Sequence, residues 1–172
     1  MIKIAICDDE NIIVNQIENI ILNVCKTEGI LVDTDAFYCG ETLEKAVMLG
    51  TKYDLIFLDI QMKNGDGITT AKNIREMDEN VLLIFVSGYD KYMMELFRLD
   101  VFAFIKKPIH EEIVIKTFLE ANLKIIVTVQ NPLGSITICC AKQRIEKIFL
   151  APICGYFVNK NDGFLFGYQS CG

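Results

Sequence analysis

The 172-residue sequence contains very little of what several common kinds of functional site require. Its only histidine is His110, and its seven cysteines have no CxxC spacing, which argues against a zinc site. No GxxxxGKS or GxxxxGKT segment is present, and this excludes a nucleotide-binding P-loop. An odd number of cysteines without paired spacing favours reduced thiols in a cytoplasmic protein.

Long apolar runs and a strongly basic region are also absent. No run approaches the ~18 apolar residues that a membrane span needs, and the opening MIKIAI is too short for a secretory signal. Residues 1–130 hold 13 basic and 21 acidic residues, a net charge of −8, whereas residues 131–172 carry +2. The first part is therefore predicted to bind polyanions poorly, and the tail is only weakly basic.

Five predicted strands alternate with amphipathic segments along the first 124 residues. Apolar runs cover residues 2–6, 55–58, 81–86 and 101–105, and a weaker strand signal covers 32–39, where Asp33 and Asp35 alternate with apolar or small residues. Helices are predicted over 13–24, 43–49, from 67, over about 91–98 and over about 111–124. Gly29 is expected to close the first helix. Buried strands alternating with helices are typical of a parallel sheet covered on both faces. The pattern therefore predicts a doubly wound α/β domain.

Chemically active side chains follow four of the five predicted strands. They are Asp8 with Asp9, Asp59, Ser87 and Lys107. In open α/β sheets, ligands bind outside the carboxyl ends of the strands. Three carboxylates suit Mg²⁺ rather than zinc, while a lysine and a hydroxyl can hold phosphoryl oxygens. The pattern favours metal-assisted phosphoryl transfer to a nucleophilic Asp59.

Each of these residues alone also fits a structural role. Asp9 or Glu10 can begin the first helix, and Ser87 can be a turn residue. A lone Lys107–Pro108 pair carries little information by itself. The combination in this order along the chain favours the functional interpretation.

Five segments resemble the receiver domain of bacterial two-component response regulators, over about residues 2–124. They are IAICDDE (4–10), DLIFLDIQM (54–62), DGI (66–68), FVSGYD (85–90) and FIKKPI (104–109). The resemblance implies a flavodoxin-like sheet with strand order 2-1-3-4-5 and a receiver domain of residues 1–126. The sequence departs from the family at Lys63, where many receivers have proline.

By this resemblance Asp59 is the phosphoacceptor. Mg²⁺ is held by Asp8, by Asp9 directly, by Asp59 and by the backbone carbonyl of Gln61. Lys107 pairs with the phosphoryl group, its bond to Pro108 is expected to be cis, and the neighbouring Lys106 is expected to face solvent.

The resemblance also implies a conformational switch and its partners. A sensor histidine kinase donates the phosphoryl group, Ser87 is the switch hydroxyl and Phe104 the switch aromatic. The face made by the fourth helix, fifth strand and last helix is expected to change and to offer a homodimer surface. Its candidate residues are Tyr89, Tyr92, Met93 and Phe97. No enzymatic activity is expected beyond self-catalysed phosphoryl transfer and autodephosphorylation.

The segments FVSGYD and VFAFIKKPI are most similar to the corresponding segments of regulators that carry a LytTR-type DNA-binding domain. After a linker at 127–134, residues 135–172 resemble the opening strands of such a domain, but they are too few for all of it and lack clustered lysine and arginine. Transcription regulation is expected, with DNA binding only if the output domain is functional. The alternative is a truncated receiver that competes for the kinase without binding DNA.

Two other classes of protein use a comparable strand-end acid or sheet. A phosphatase or phosphotransferase of the haloacid dehalogenase type needs a second acid two residues after the nucleophile, and that position is Gln61 here. A flavodoxin-type electron carrier needs a phosphate-binding loop after the first strand, where Asp8–Asp9–Glu10 repel an anion. Both readings are therefore disfavoured.

Overall fold

A computed structural model describes residues 1–63, 65–88 and 99–130 of the chain. Its five strands are β1 (Ile2–Cys7), β2 (Val32–Phe37), β3 (Leu55–Leu58), β4 (Leu82–Ser87) and β5 (Ala103–Lys106). Its four helices are α1 (Asn11–Glu28), α2 (Gly40–Met48), α3 (Gly67–Met77) and α4 (Glu111–Gln130). The helix predicted over 91–98, the face residues Tyr89, Tyr92, Met93 and Phe97, and the tail after residue 130 lie outside the described residues.

All five strands form one parallel sheet with the order β2-β1-β3-β4-β5. Ile4 pairs with Leu55, and Leu55 pairs in turn with Leu82, so the central strands are in register. This topology confirms the predicted doubly wound, flavodoxin-like fold.

Alternate residues of each strand face opposite sides of the sheet and form two apolar cores. On one side Ile4, Leu55 and Ile84 pack with residues of α1 and α4. On the other side Ala5 and Ile56 pack with residues of α2 and α3. Complete burial of one large apolar side chain is worth about 1.5–3 kcal/mol, so the two cores hold the strand ends rigidly in place.

Local signals explain where two of the helices begin or end. Gly29 ends α1 in the left-handed region, with φ 68°, and its N–H bonds to the Cys25 carbonyl, as predicted. Asp66 begins α3 because its side chain accepts a hydrogen bond from the Ile68 N–H at 3.1 Å.

Several predicted boundaries differ from the structure; β5, for example, begins at Ala103 rather than at residue 101. β2 ends at Phe37 rather than at residue 39, and α2 begins at Gly40 rather than at residue 43. Glu41 lies in the first turn of α2, where a negative charge is favourable. α4 continues past the predicted end at residue 124, with Ile125 still packed against the core. Among the described helices, none is both long and apolar enough to cross a membrane.

Candidate functional site

The candidate site lies at the carboxyl edge of the sheet. β1, β3, β4 and β5 end there in register, because Cys7 pairs with Leu58 and Ser87 with Lys106. Backbone hydrogen bonds extend this pairing beyond the strands: Asp59 N–H donates to the Cys7 carbonyl at 2.9 Å. Lys107 N–H likewise donates to the Ser87 carbonyl at 3.0 Å. The sheet therefore fixes the backbone of the site residues.

Three carboxylates predicted to share a metal come together at this edge. Asp8, Asp9 and Asp59 each offer an oxygen, and these oxygens all lie within 4.8 Å of one another. Asp8 and Asp59 are buried, with 1% and 4% of their surface exposed, and Asp9 is half-buried. Carboxylates held so close repel one another unless a cation lies between them.

The donor set fits a hard divalent cation. All three side chains offer oxygen, the ligand type that Mg²⁺ and Ca²⁺ prefer. In addition, the buried Asp8 Oδ2 lies 2.8 Å from the Lys107 ammonium, and no other described group donates to it. A cation bound beside Lys107 would balance the remaining charge of these acids.

Lys107 supplies the positive charge at the centre of the acids. Its Nζ lies 2.8 Å from Asp8 Oδ2, 3.4 Å from Asp59 Oδ2 and 3.7 Å from Glu10 Oε1. Burial lowers the pKa of Lys107, but its contacts with Asp8 and Asp59 outweigh burial and leave that pKa above its ordinary value. The Lys107–Pro108 peptide bond is cis, as predicted. Lys106 is exposed, also as predicted.

The surroundings of Asp59 disfavour its ionised form. Burial raises its pKa from 3.8 to about 6, and the nearby charge of Asp8 adds to the rise. Lys107 and the Ile60 N–H, which donates to Asp59 Oδ1 at 2.9 Å, act in the opposite direction. The ionised carboxylate is thus less stable here than in water, as is common for acids at functional sites.

Asp8 shares this environment. Burial raises the pKa of Asp8. Lys107 and the Glu10 N–H, which donates to Asp8 Oδ1 at 2.9 Å, lower that pKa, but by less than burial raises it. Two neighbouring acids with raised pKa values indicate a site arranged for something other than stability.

An open cleft of about 400 Å³ gives access to the acids. It is lined by Asp9, Glu10, Asp59, Gln61, Lys63, Ser87, Gly88 and Lys107. The predicted switch residues differ in exposure: Ser87 is fully buried at the end of β4, whereas Phe104 is half-buried against the core on the α2 and α3 side.

Gly67 packs directly against the backbone of Asp59. A Cβ at this position would lie 1.9 Å from the Asp59 carbonyl oxygen, and Gly67 N–H donates to the Ile60 carbonyl at 2.9 Å. The start of α3 therefore supports the backbone of Asp59 from behind. The sequence predicts a helix from residue 67, but the close contact of Gly67 with Asp59 depends on the fold.

Two further charged residues contact the site without having been predicted to do so. Glu10 does not cap α1 with its side chain but approaches Lys107. Lys63 contacts Asp9 through both its backbone N–H, at 3.1 Å from Oδ2, and its Nζ, at 3.6 Å. The departure from proline at position 63 was the only sequence signal for the second contact.

Comparison with known proteins places this arrangement in a family. The family model "Response regulator receiver domain" matches residues 4–119. The chain belongs to the response regulator receiver domain family. This confirms the resemblance drawn from the sequence, and it makes the chain a signalling protein rather than a classical enzyme.

The relatives of this receiver domain are bacterial regulators. The sensory transduction protein LytT of Bacillus anthracis is 26% identical over 117 residues, which are 68% of this chain and 46% of LytT. The transcriptional regulatory protein LytR of Staphylococcus aureus (strain N315) is 32% identical over 106 residues, covering 62% of this chain and 41% of LytR. The chain thus spans about half or less of the length of these curated relatives.

A solved receiver structure agrees with the fold. The receiver domain of AraT, a response regulator from Geobacillus stearothermophilus, is 31% identical with a TM-score of 0.62. The match covers 72% of this chain and 95% of that domain.

Proposed function

We propose that this receiver domain accepts a phosphoryl group on Asp59 from the phosphohistidine of a sensor kinase. The phosphorus–nitrogen bond breaks, a bond forms from a carboxylate oxygen of Asp59 to phosphorus, and the imidazole keeps the electron pair. The observation that carries the proposal is a buried, destabilised carboxylate whose Oδ2 lies 3.4 Å from a lysine ammonium. Membership of the receiver family supports it further.

The proposed metal site consists of Asp8, Asp9, Asp59 and the backbone carbonyl of Gln61. A divalent cation such as Mg²⁺, when bound, supplies positive charge that offsets the developing charge on the phosphoryl oxygens. Asp8 and Asp59 are held by backbone N–H donors and by Lys107, so they need little rearrangement to serve as ligands. Gln61 lines the same cleft.

The residues of this chain then stabilise the transferred group. Lys107 already lies within ion-pair distance of Asp59 and is proposed to hold a phosphoryl oxygen. Ser87 is proposed to move toward the new dianion and donate its hydroxyl hydrogen, and Phe104 to become more buried as Ser87 moves. Autodephosphorylation by water in the same cleft is part of this proposal.

An intact-mass measurement tests the acceptor. The protein is incubated with Mg²⁺ and acetyl phosphate, and a gain of one phosphoryl group is expected. Asp59→Asn is expected to abolish the gain, whereas the matched variant Asp54→Asn, at the opposite end of β3, is expected to keep it. A gain that persists in Asp59→Asn would overturn the assignment of the acceptor.

Regulation of transcription and partner binding are proposed for the whole protein from the names of its relatives. A reporter assay in cells with the kinase is expected to give an output that depends on Asp59. Repression, or no effect, would favour the alternative in which the chain competes for the kinase without activating transcription. A homodimer is tested by sedimentation before and after phosphorylation.

A further inference from the structure

Lys63 holds Asp9 with two different donors. Its backbone N–H donates to Asp9 Oδ2 at 3.1 Å, and its ammonium lies 3.6 Å from the same oxygen. The Lys63 side chain is 84% exposed, while Asp9 is only 14% exposed. The ammonium therefore covers the acid from the solvent side, at the mouth of the cleft.

The charges around the cleft explain why this contact matters. Four acids, Asp8, Asp9, Glu10 and Asp59, face the two ammonium groups of Lys107 and Lys63. The resulting charge of −2 equals in size the charge of one divalent cation. Lys107 lies among the buried acids, whereas the described contacts of Lys63 are with Asp9, the acid that the receiver resemblance places directly on the metal.

We propose that Lys63 is a tethered cation that competes with Mg²⁺ for Asp9 and so lowers the affinity of this receiver for the metal. The inference rests on the proposed metal site. A divalent ion on Asp9 repels an ammonium that stays beside the same carboxylate, so the ammonium has to leave or the metal binds less tightly. Once released, the ammonium lies at the mouth of the cleft, where an anionic phosphoryl donor enters.

The size of the effect follows from the exposure of Lys63. Exposed ion pairs are weak, and the loss of one corresponds to a change in affinity of about twofold to fivefold. Because the contact is open to water, dissolved salt screens it, and the effect is expected to shrink as ionic strength rises.

The test is the dissociation constant for Mg²⁺, measured by amide chemical-shift titration at about 0.02 M and about 0.5 M ionic strength. Lys63→Gln removes the ammonium but keeps the backbone donor, and it is expected to bind Mg²⁺ about twofold to fivefold more tightly at low salt. Lys63→Arg keeps the charge and is expected to resemble the parent.

Lys52→Gln is the matched control. Lys52 is also exposed, at 72%, and its Nζ lies 3.3 Å from Asp78 Oδ2. It precedes the amino end of β3, whereas the site follows the carboxyl end of that strand. Its substitution changes the net charge by the same amount but leaves the Lys63–Asp9 contact in place. The affinity for Mg²⁺ is therefore expected to stay unchanged. If Lys52→Gln gains as much Mg²⁺ affinity as Lys63→Gln, the effect comes from net charge alone, and the inference is overturned.

The remaining outcomes separate this inference from the proposed function. Equal or weaker Mg²⁺ binding by Lys63→Gln overturns the competition but leaves the metal site in place. No Mg²⁺ binding by the parent or any variant overturns the proposed metal site and the inference together.

Discussion

Two lysines of the sheet each lie between aspartates, but at opposite edges and with opposite consequences. At the carboxyl edge Lys107 meets Asp8 and Asp59, which are almost fully buried. Near the amino edge Lys3 meets Asp33 and Asp35, whose side chains are 45% and 39% exposed. Water solvates the second pair of acids well and reaches the first pair far less.

The pKa values of the acids show what this difference does. Burial dominates at Asp59 and raises its pKa to about 6. At Asp35 burial also acts to raise the pKa, but the Tyr53 hydroxyl and Lys3 outweigh it, so that pKa is lowered. Near the amino edge the lysine–aspartate contacts therefore stabilise the fold. At the carboxyl edge the buried, ionised aspartates make the fold less stable, as is common where acids are placed for reactivity.

The largest expected effect comes from removal of the two lysines in turn. Lys107→Met leaves two buried carboxylates without their cation, and it is expected to lower the free energy of unfolding by about 3–5 kcal/mol at pH 8. Lys3→Met is expected to lose much less, because its acids return to water. Urea denaturation measures both, and Mg²⁺ is expected to restore part of the stability of Lys107→Met alone. Equal losses would contradict the contrast between the edges.

Removal of one acid at each edge is expected to change stability in opposite directions. Asp59 has a folded pKa of about 6, raised from 3.8, so its ionisation destabilises the fold as pH rises through this window. In EDTA, Asp59→Asn is expected to match the parent near pH 4 and to exceed it by about 3 kcal/mol above pH 7.

Asp35→Asn is the opposing variant. The lowered pKa of Asp35 means that its charge stabilises the fold above the unfolded pKa, and that this stability is lost as pH falls through the folded pKa. Asp35→Asn is therefore expected to be less stable than the parent at neutral pH and to converge with it in acid. Denaturant midpoints measured against pH test both signs, and a common sign for the two variants would refute the argument.

Backbone packing also differs between the edges, and glycine substitutions measure it. A Cβ at Gly67 meets the Asp59 carbonyl oxygen at 1.9 Å, while Gly50, after α2, has no atom within 4 Å of that position. Gly67→Ala is expected to lower the free energy of unfolding by about 2 kcal/mol and to displace the loop that follows β3. Gly50→Ala is expected to lower the free energy of unfolding by only about 1 kcal/mol, because its φ of 96° is unfavourable for a residue with a Cβ. Thermal unfolding in parallel distinguishes them, and equal losses would exclude a specific contact behind Asp59.

Much of the fold and the site was predictable because both follow from local sequence. Runs such as LIFL and LLIFV are apolar throughout, so they indicate strands buried on both faces. Parallel strands end at one edge, and this rule alone brings Asp8, Asp59, Ser87 and Lys107 together. The geometry of the described residues agrees with that prediction, while the chemical roles remain proposals.

The parts that were missed depend on neighbours distant in sequence. Asp33 and Asp35 made β2 a weak strand prediction, and their partners come from residues distant in sequence: Lys3 for both acids, and the Tyr53 hydroxyl for Asp35. The contact of Gly67 with Asp59 similarly appears only when the chain is folded.

The smallest expected effect concerns the hydroxyl of Tyr53, which donates to Asp35 Oδ2 at 2.8 Å. The Tyr53 ring packs edge-on against Phe37, with centroids 6.1 Å apart, and Tyr53→Phe keeps that contact. Because Asp35 is partly exposed, water replaces the lost donor, and the free energy of unfolding is expected to fall by only about 1 kcal/mol. The pKa of Asp35, followed by NMR titration, is expected to rise toward its ordinary value, and phosphoryl uptake at Asp59 to stay unchanged. A loss as large as that of Lys107→Met would mean that the acids near the amino edge are as poorly solvated as those of the site, and the contrast between the two lysines would then fail.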